Sequence, residues 1–221
     1  MRSTRYIQVT PARPKVGSPL RDAGPTDTFA DERTVRGVRY TGDEVGFENA
    51  YAMEISGCVF SGVRLVAELN RTTVDNCEFT SADISNVRAD ESSLLESTLA
   101  LSRLTGISLT DGVVRDVEFS ETRADLSVFR NTKFRNVVFT GCNLTGSDFQ
   151  RATLRNVRFE KCDLTGAQFS NAIQEHNVSF EDCRLIDING VRGLKGARVR
   201  GDDLLGLAGS LAREVGIDVD W

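Results

Sequence analysis

Five cysteines and one histidine are the side chains best suited by type to covalent or metal chemistry: Cys58, Cys77, Cys142, Cys162, Cys183 and His176. A cysteine nucleophile needs an exposed, activated thiolate with a base beside it. A structural metal site needs ligands paired at short spacing, as in C-x-x-C. The sequence has no C-x-x-C pair, and its one histidine is not next to a cysteine. Each cysteine instead stands two residues before a Leu or Phe: Phe60, Phe79, Leu144, Leu164 and Leu185. That shared position marks an inward slot suited to a small hydrophobe. Five thiols without a paired motif read as reduced cysteines in a cytoplasmic protein. Carboxylates are plentiful, but acid–base catalysis also requires a pocket to hold them. No Gly-rich phosphate loop precedes a helix. The expectation is a protein that is not an enzyme and uses no cofactor and no metal.

The elements that position these residues follow a period of five. From Leu69 to Gln174 an apolar position recurs every fifth residue without a slip, through Val74, Phe79, Leu99, Phe119, Phe139 and Phe159 to Phe169. Call each of these a centre. The residue two before a centre is small or apolar, as at Ala82, Ser92, Val137 and Ala152. Five is neither the 3.6 of a helix nor the 2.0 of a flat strand. Four such segments close a coil of about twenty residues, so positions twenty apart stack at about 4.8 Å. Phe119, Phe139 and Phe159 then share one face, and Phe129, Phe149 and Phe169 lie half a coil away. Asn136 and Asn156, one coil apart, are placed for a hydrogen-bonded ladder. The register starts weakly at Tyr40, loses a residue between Leu65 and Leu69, and gains one between Gln174 and Phe180.

Stretches such as Cys142-Asn143-Leu144-Thr145-Gly146 and Cys162-Asp163-Leu164-Thr165-Gly166 resemble the A(D/N)LXX signature of pentapeptide-repeat proteins. The resemblance covers about residues 36–190 and implies an all-β fold, a right-handed quadrilateral β-helix of seven to eight coils. The division it suggests is a Pro-containing, mobile N-terminal arm over 1–35, the β-helix over 36–192, and a C-terminal helix and tail over 193–221. In the tail, Asp202 or Asp203 can cap a helix whose apolar stripe is Leu204, Leu207, Leu211 and Val215, stopped at Gly216 and followed by a short strand through Ile217 and Val219.

A rod without a pocket acts through its faces, so charge placement carries the functional signal. The chain of 221 residues has net charge −5, with no segment apolar enough for a signal peptide or a membrane span. Residues 70–128 hold eleven acids and five bases, net −6; residues 129–170 hold seven bases and three acids, net +4. Within the acidic stretch Glu91 and Asp111 are one coil apart, as are Glu96 and Asp116. Like charges on neighbouring strands are mildly destabilising, which marks these four as a candidate partner-binding face. Nucleic acid is not an expected ligand of an acidic chain, because phosphate contacts need Lys and Arg.

The tail is similar to that of the Qnr-type and mycobacterial fluoroquinolone-resistance proteins. These imitate B-DNA and bind DNA gyrase or topoisomerase IV. That resemblance implies a DNA-mimicking protein in antibiotic resistance, and a homodimer formed end to end through Leu204, Leu207, Leu211 and Val215. The other expectation is a scaffolding repeat protein with an unrelated partner.

Overall fold

The structure, a computed structural model, describes residues 8–42, 44–45 and 50–218. It is a β-solenoid of about nine turns with one short C-terminal helix. Strands on successive coils pair in parallel, in a ladder that begins at Arg21–Asp22, passes through Val38–Thr41, Val59–Ser61 and Glu78–Thr80, and ends at Arg198–Val199. Between lie five longer strands: Ser93–Ala100, Val113–Ser120, Lys133–Thr140, Thr153–Glu160 and Ile173–Glu181. The count exceeds the seven to eight coils read from periodicity because coils at both ends pair through the backbone after their apolar pattern has faded.

The five-residue period has a backbone cause. From Arg71 to Asn171 every fifth residue, two after each centre, has positive φ, so the chain turns a corner there. Glycine fills some corners (Gly106, Gly141, Gly146, Gly166), Asn and Asp several more. These are the residue types that tolerate the left-handed region at least cost. Leu101 and Leu126 are exceptions, bulky side chains at φ 53° and 59° that project into solvent.

Inside, aromatic rings stack coil on coil. Tyr40, Phe60 and Phe79 form one run, with centroid separations of 4.8 and 4.6 Å. Phe119, Phe139, Phe159 and Phe180 form another, at 4.6, 4.9 and 4.8 Å. Phe129, Phe149 and Phe169 rise half a coil away, as their spacing requires. The slot two before the centre is also inward. Cysteines there are buried, each Sγ within reach of a backbone carbonyl, as in Cys162 to Phe139 O. Serine fits the same slot because its hydroxyl is satisfied twice: Ser92 Oγ accepts from the Thr72 N–H and donates to Leu69 O.

Both breaks in period survive as irregularities. The coil that spans the break between Leu65 and Leu69 advances by 19 residues (Glu54 pairs Thr73), whereas the coil before it (Thr34 with Glu54) and those after it (Ser93 with Val113) advance by 20. The extra residue near Glu175 is absorbed by a bulge, since Leu154 pairs Gln174 but Arg155 pairs His176. Asp203 is the N-cap of the helix Leu204–Glu214, without a side-chain cap bond, and Gly216 closes it at φ 76°. Ile217 is not in a strand, and Val219 lies outside the described residues.

Candidate functional surface

The four acidic residues singled out by spacing sit on two adjacent corners. Glu91 and Asp111 occupy one, Glu96 and Asp116 the next, and all four have positive φ. Between the corners runs one face of the sheet, carrying Ser93–Leu95, Val113–Arg115, Lys133–Arg135 and Thr153–Arg155 in strict register. The left-handed backbone supplies a local reason for aspartate at these sites, since its short side chain is compatible with that region. It supplies none for glutamate.

The acids are not bare. Arg71 meets Glu91 at 3.2 Å across one coil, and Arg115 lies 3.9 Å from Glu96 and 3.6 Å from Asp116. Asp116 also accepts a hydrogen bond from Asn136 Nδ2, and Asn136 Oδ1 in turn accepts from Asn156 Nδ2, both at 3.0 Å. The ladder expected between the two asparagines is therefore present and continues onto a carboxylate. Glu91 and Asp111 are exposed, Glu96 and Asp116 half-buried. Solvent-accessible ion pairs contribute on the order of 0.2–1 kcal/mol each, so a competing cation can displace the one at Glu91.

Sequence reasoning did not single out the far half of the same face. Arg115, Arg135, Arg155 and His176 stand in one column, a coil apart, by strand register. Lys133, Arg135, Arg151, Arg155 and His176 are exposed. The signal was in the sequence as bases twenty residues apart, and it required choosing the column rather than summing charge over a segment.

At the C-terminal end the apolar stripe divides. Leu207 is buried against the last coils, whereas Leu204, Leu211 and Val215 are exposed. Two ion pairs, Arg192–Glu214 at 3.0 Å and Arg213–Asp187 at 2.8 Å, tie the helix to the solenoid. Gly193 sits where an added Cβ would lie 1.8 Å from Phe169 O, so the turn before the helix lies directly on the coil beneath.

The thiols have no such exposure. Hydrogen bonding to the stacked Cys58 and burial raise the Cys77 thiol, and Cys142, Cys183 and burial do the same to Cys162. His176 is on the surface, with no cysteine paired to it across the strands. Among the described residues no group of three or more His, Cys, Asp or Glu is placed to hold a metal ion. Among the described residues no helix is long and apolar enough to cross a membrane.

The family model of the pentapeptide repeat region matches residues 124–189, within the stacked coils. The solenoid is similar to HetL, a pentapeptide repeat protein involved in heterocyst differentiation regulation from the cyanobacterium Nostoc sp. strain PCC 7120. The two share 20% identity over 72% of this chain and 71% of that one, with a TM-score of 0.62. QnrB1, a plasmid-mediated fluoroquinolone resistance protein, aligns over 87% of this chain and 98% of its own at 19% identity, with a TM-score of 0.41. A pentapeptide repeat protein of the Arabidopsis thaliana thylakoid lumen aligns over 42% of this chain and 65% of its own at 22% identity, with a TM-score of 0.40. These likenesses concern the fold alone. No curated protein matches the chain.

Proposed function

We propose that this pentapeptide-repeat rod is a non-enzymatic interaction protein of the cytoplasm that engages a protein partner through its acidic corners. The observation that carries the reading is the pairing of corners: Glu91 above Asp111 and Glu96 above Asp116 present carboxylates in two parallel columns on neighbouring edges. A partner with a basic groove is the complement. Type II topoisomerase, DNA gyrase or topoisomerase IV, is the partner class this reading names, with the rod standing in for a short length of duplex. Duplex DNA presents a charge per about 1.7 Å, about three per coil of 4.8 Å. Residues 70–128 carry net −6 over about three coils, so the imitation is partial and confined to that stretch. Leu204, Leu211 and Val215 are the exposed apolar residues through which two rods would join end to end as a homodimer, with Leu207 holding the helix in place.

The test is a supercoiling assay with purified gyrase, with and without a topoisomerase poison. The rod should inhibit supercoiling or protect the enzyme, and reversal of Glu91, Glu96, Asp111 and Asp116 to Lys should abolish the effect. No effect at high protein concentration rejects the topoisomerase reading. An unchanged effect after reversal removes these corners from it.

A scaffolding role with an unrelated partner is the second reading. The reversal of charge from net −6 over residues 70–128 to net +4 over residues 129–170 favours it, because duplex DNA is negative along its whole length. Capture from native lysate followed by corner reversal separates the two readings by the identity of what is lost.

A further inference from the structure

The face between the two acidic corners is electrically divided along the rod. Summed over the residues that build it, 71–76, 91–96 and 111–116 hold Arg71 and Arg115 against Asp75, Glu91, Glu96, Asp111 and Asp116, net −3. The next three rungs, 131–136, 151–156 and 171–177, hold Lys133, Arg135, Arg151 and Arg155 against Glu175, net +3 with His176 neutral. Within the basic half, Arg135 and Arg155 are direct cross-strand neighbours, and like charges so placed repel.

We infer that this face pairs with the same face of a second copy, antiparallel, about a two-fold axis running along the strands between Val113–Arg115 and Lys133–Arg135. Such an axis keeps each corner opposite its own equivalent and reverses the order of coils. Asp116 then lies beside the Arg135 of the second copy, Glu96 beside its Arg155, and Glu91 opposite its Arg151. Arg115 falls opposite that Arg135, its charge offset by its own neighbours Glu96 and Asp116. Every contact occurs twice, as an isologous interface demands.

Spacing selects a second copy over other acidic partners. Cations on this face repeat at the strand-to-strand distance of about 4.8 Å. Alternate residues of an extended acidic peptide recur at roughly 6.6 Å and would drift out of step within two rungs. A rod of the same rise carries its carboxylates at the same interval, so the match holds over the four central rungs, 91–96 against 151–156 and 111–116 against 131–136. Six rungs by about 10 Å give roughly 300 Å² per copy, well below the ~800 Å² per partner of a stable complex. The association is therefore weak, salt-sensitive and concentration-dependent.

Pairing covers Glu96 and Asp116, so, resting on the partner reading above, self-association and partner capture compete. The self-association itself does not depend on that reading, and its test contains no topoisomerase. Sedimentation equilibrium in a Leu211→Asp, Val215→Asp background removes joining through the helix. Antiparallel pairing predicts association at low salt that weakens at least tenfold at high salt. Arg135→Glu with Arg155→Glu should abolish it, as should Glu96→Arg with Asp116→Arg. Mixing the two reversed proteins should restore association, because each then complements the other on both halves of the face. Arginine is tolerated at these corners, as Arg71 and Arg151 demonstrate at φ 57°. Failure of the mixture to associate while both variants remain folded by circular dichroism overturns the proposal, as does association that ignores salt.

Discussion

Leu99 lies one coil beyond Phe79 and one before Phe119, in strand register with both, and is the residue that separates the two aromatic stacks. An apolar cavity of about 70 Å³ adjoins it, lined among others by Phe79, Leu94, Leu99 and Phe119. The Leu99→Phe substitution should join the stacks and raise stability by about 0.5–2 kcal/mol, the usual range for cavity filling. Leu99→Ala should lower it by about 2–5 kcal/mol. Urea unfolding of the three proteins decides this, and a destabilised Leu99→Phe would mean that the cavity cannot accept a ring.

Leu126 occupies a left-handed corner whose neighbours one coil away on either side are Gly106 and Gly146. Its side chain is largely in solvent, so little packing is lost on removing it. Leu126→Gly should be neutral to stabilising by up to about 1 kcal/mol, relief of the backbone strain outweighing the added freedom of the unfolded chain. The same change at the inward Leu144 should be strongly destabilising. Thermal melts of the two variants should move apart.

Asp27 is buried beside Arg21, at 2.5 Å, and accepts the Gly24 N–H. The guanidinium and that N–H hold its carboxyl down at about 2, against an ordinary 3.8. Because the folded value is the lower one, the stabilisation is complete above about pH 4 and is lost as pH falls through about 2. Hydrogen exchange in residues 21–41 should accelerate over that window before the central coils respond. In Asp27→Asn the region should already be loosened at neutral pH and show no further acid step.

The helix stripe separates into two experiments. Leu207→Asp places a carboxylate in the buried side of the helix and should loosen the C-terminal cap, read as a lower melting temperature. Gly193→Ala should do the same, since the new methyl meets the Phe169 carbonyl. Leu211→Asp with Val215→Asp should leave the melting temperature unchanged and remove end-to-end dimers from a sizing column. A dimer that survives this pair lies elsewhere on the rod.

Period, inward slots and ring columns were legible because each is a one-dimensional property of the chain. The cysteines could be assigned to the interior, and Asn156 to Asn136, by counting alone. Corner geometry was less legible. Glu91 and Leu126 obey the same backbone rule as Gly106, and nothing in their side chains announces it. The cavity beside Leu99 was also hidden, since a leucine satisfies the apolar pattern as well as a phenylalanine does and only volume distinguishes them. For the candidate surface, spacing found the acidic columns but not Arg71 and Arg115 lying across them. It also passed over the column Arg135–Arg155–His176, which emerges only when charges are assigned to a particular face.

The left-handed corner two residues after each centre has an evolutionary consequence. It points one side chain per segment away from an interior that never sees it, so every corner residue has in effect a two-part address: which edge, and which storey. Substitution at one address leaves the core untouched and is felt only at the addresses directly above and below it, and inserting twenty residues would add a storey without moving any edge. Such a rod can exchange one partner for another by rewriting a few addresses, while selection on its folding continues to act only on the inward positions.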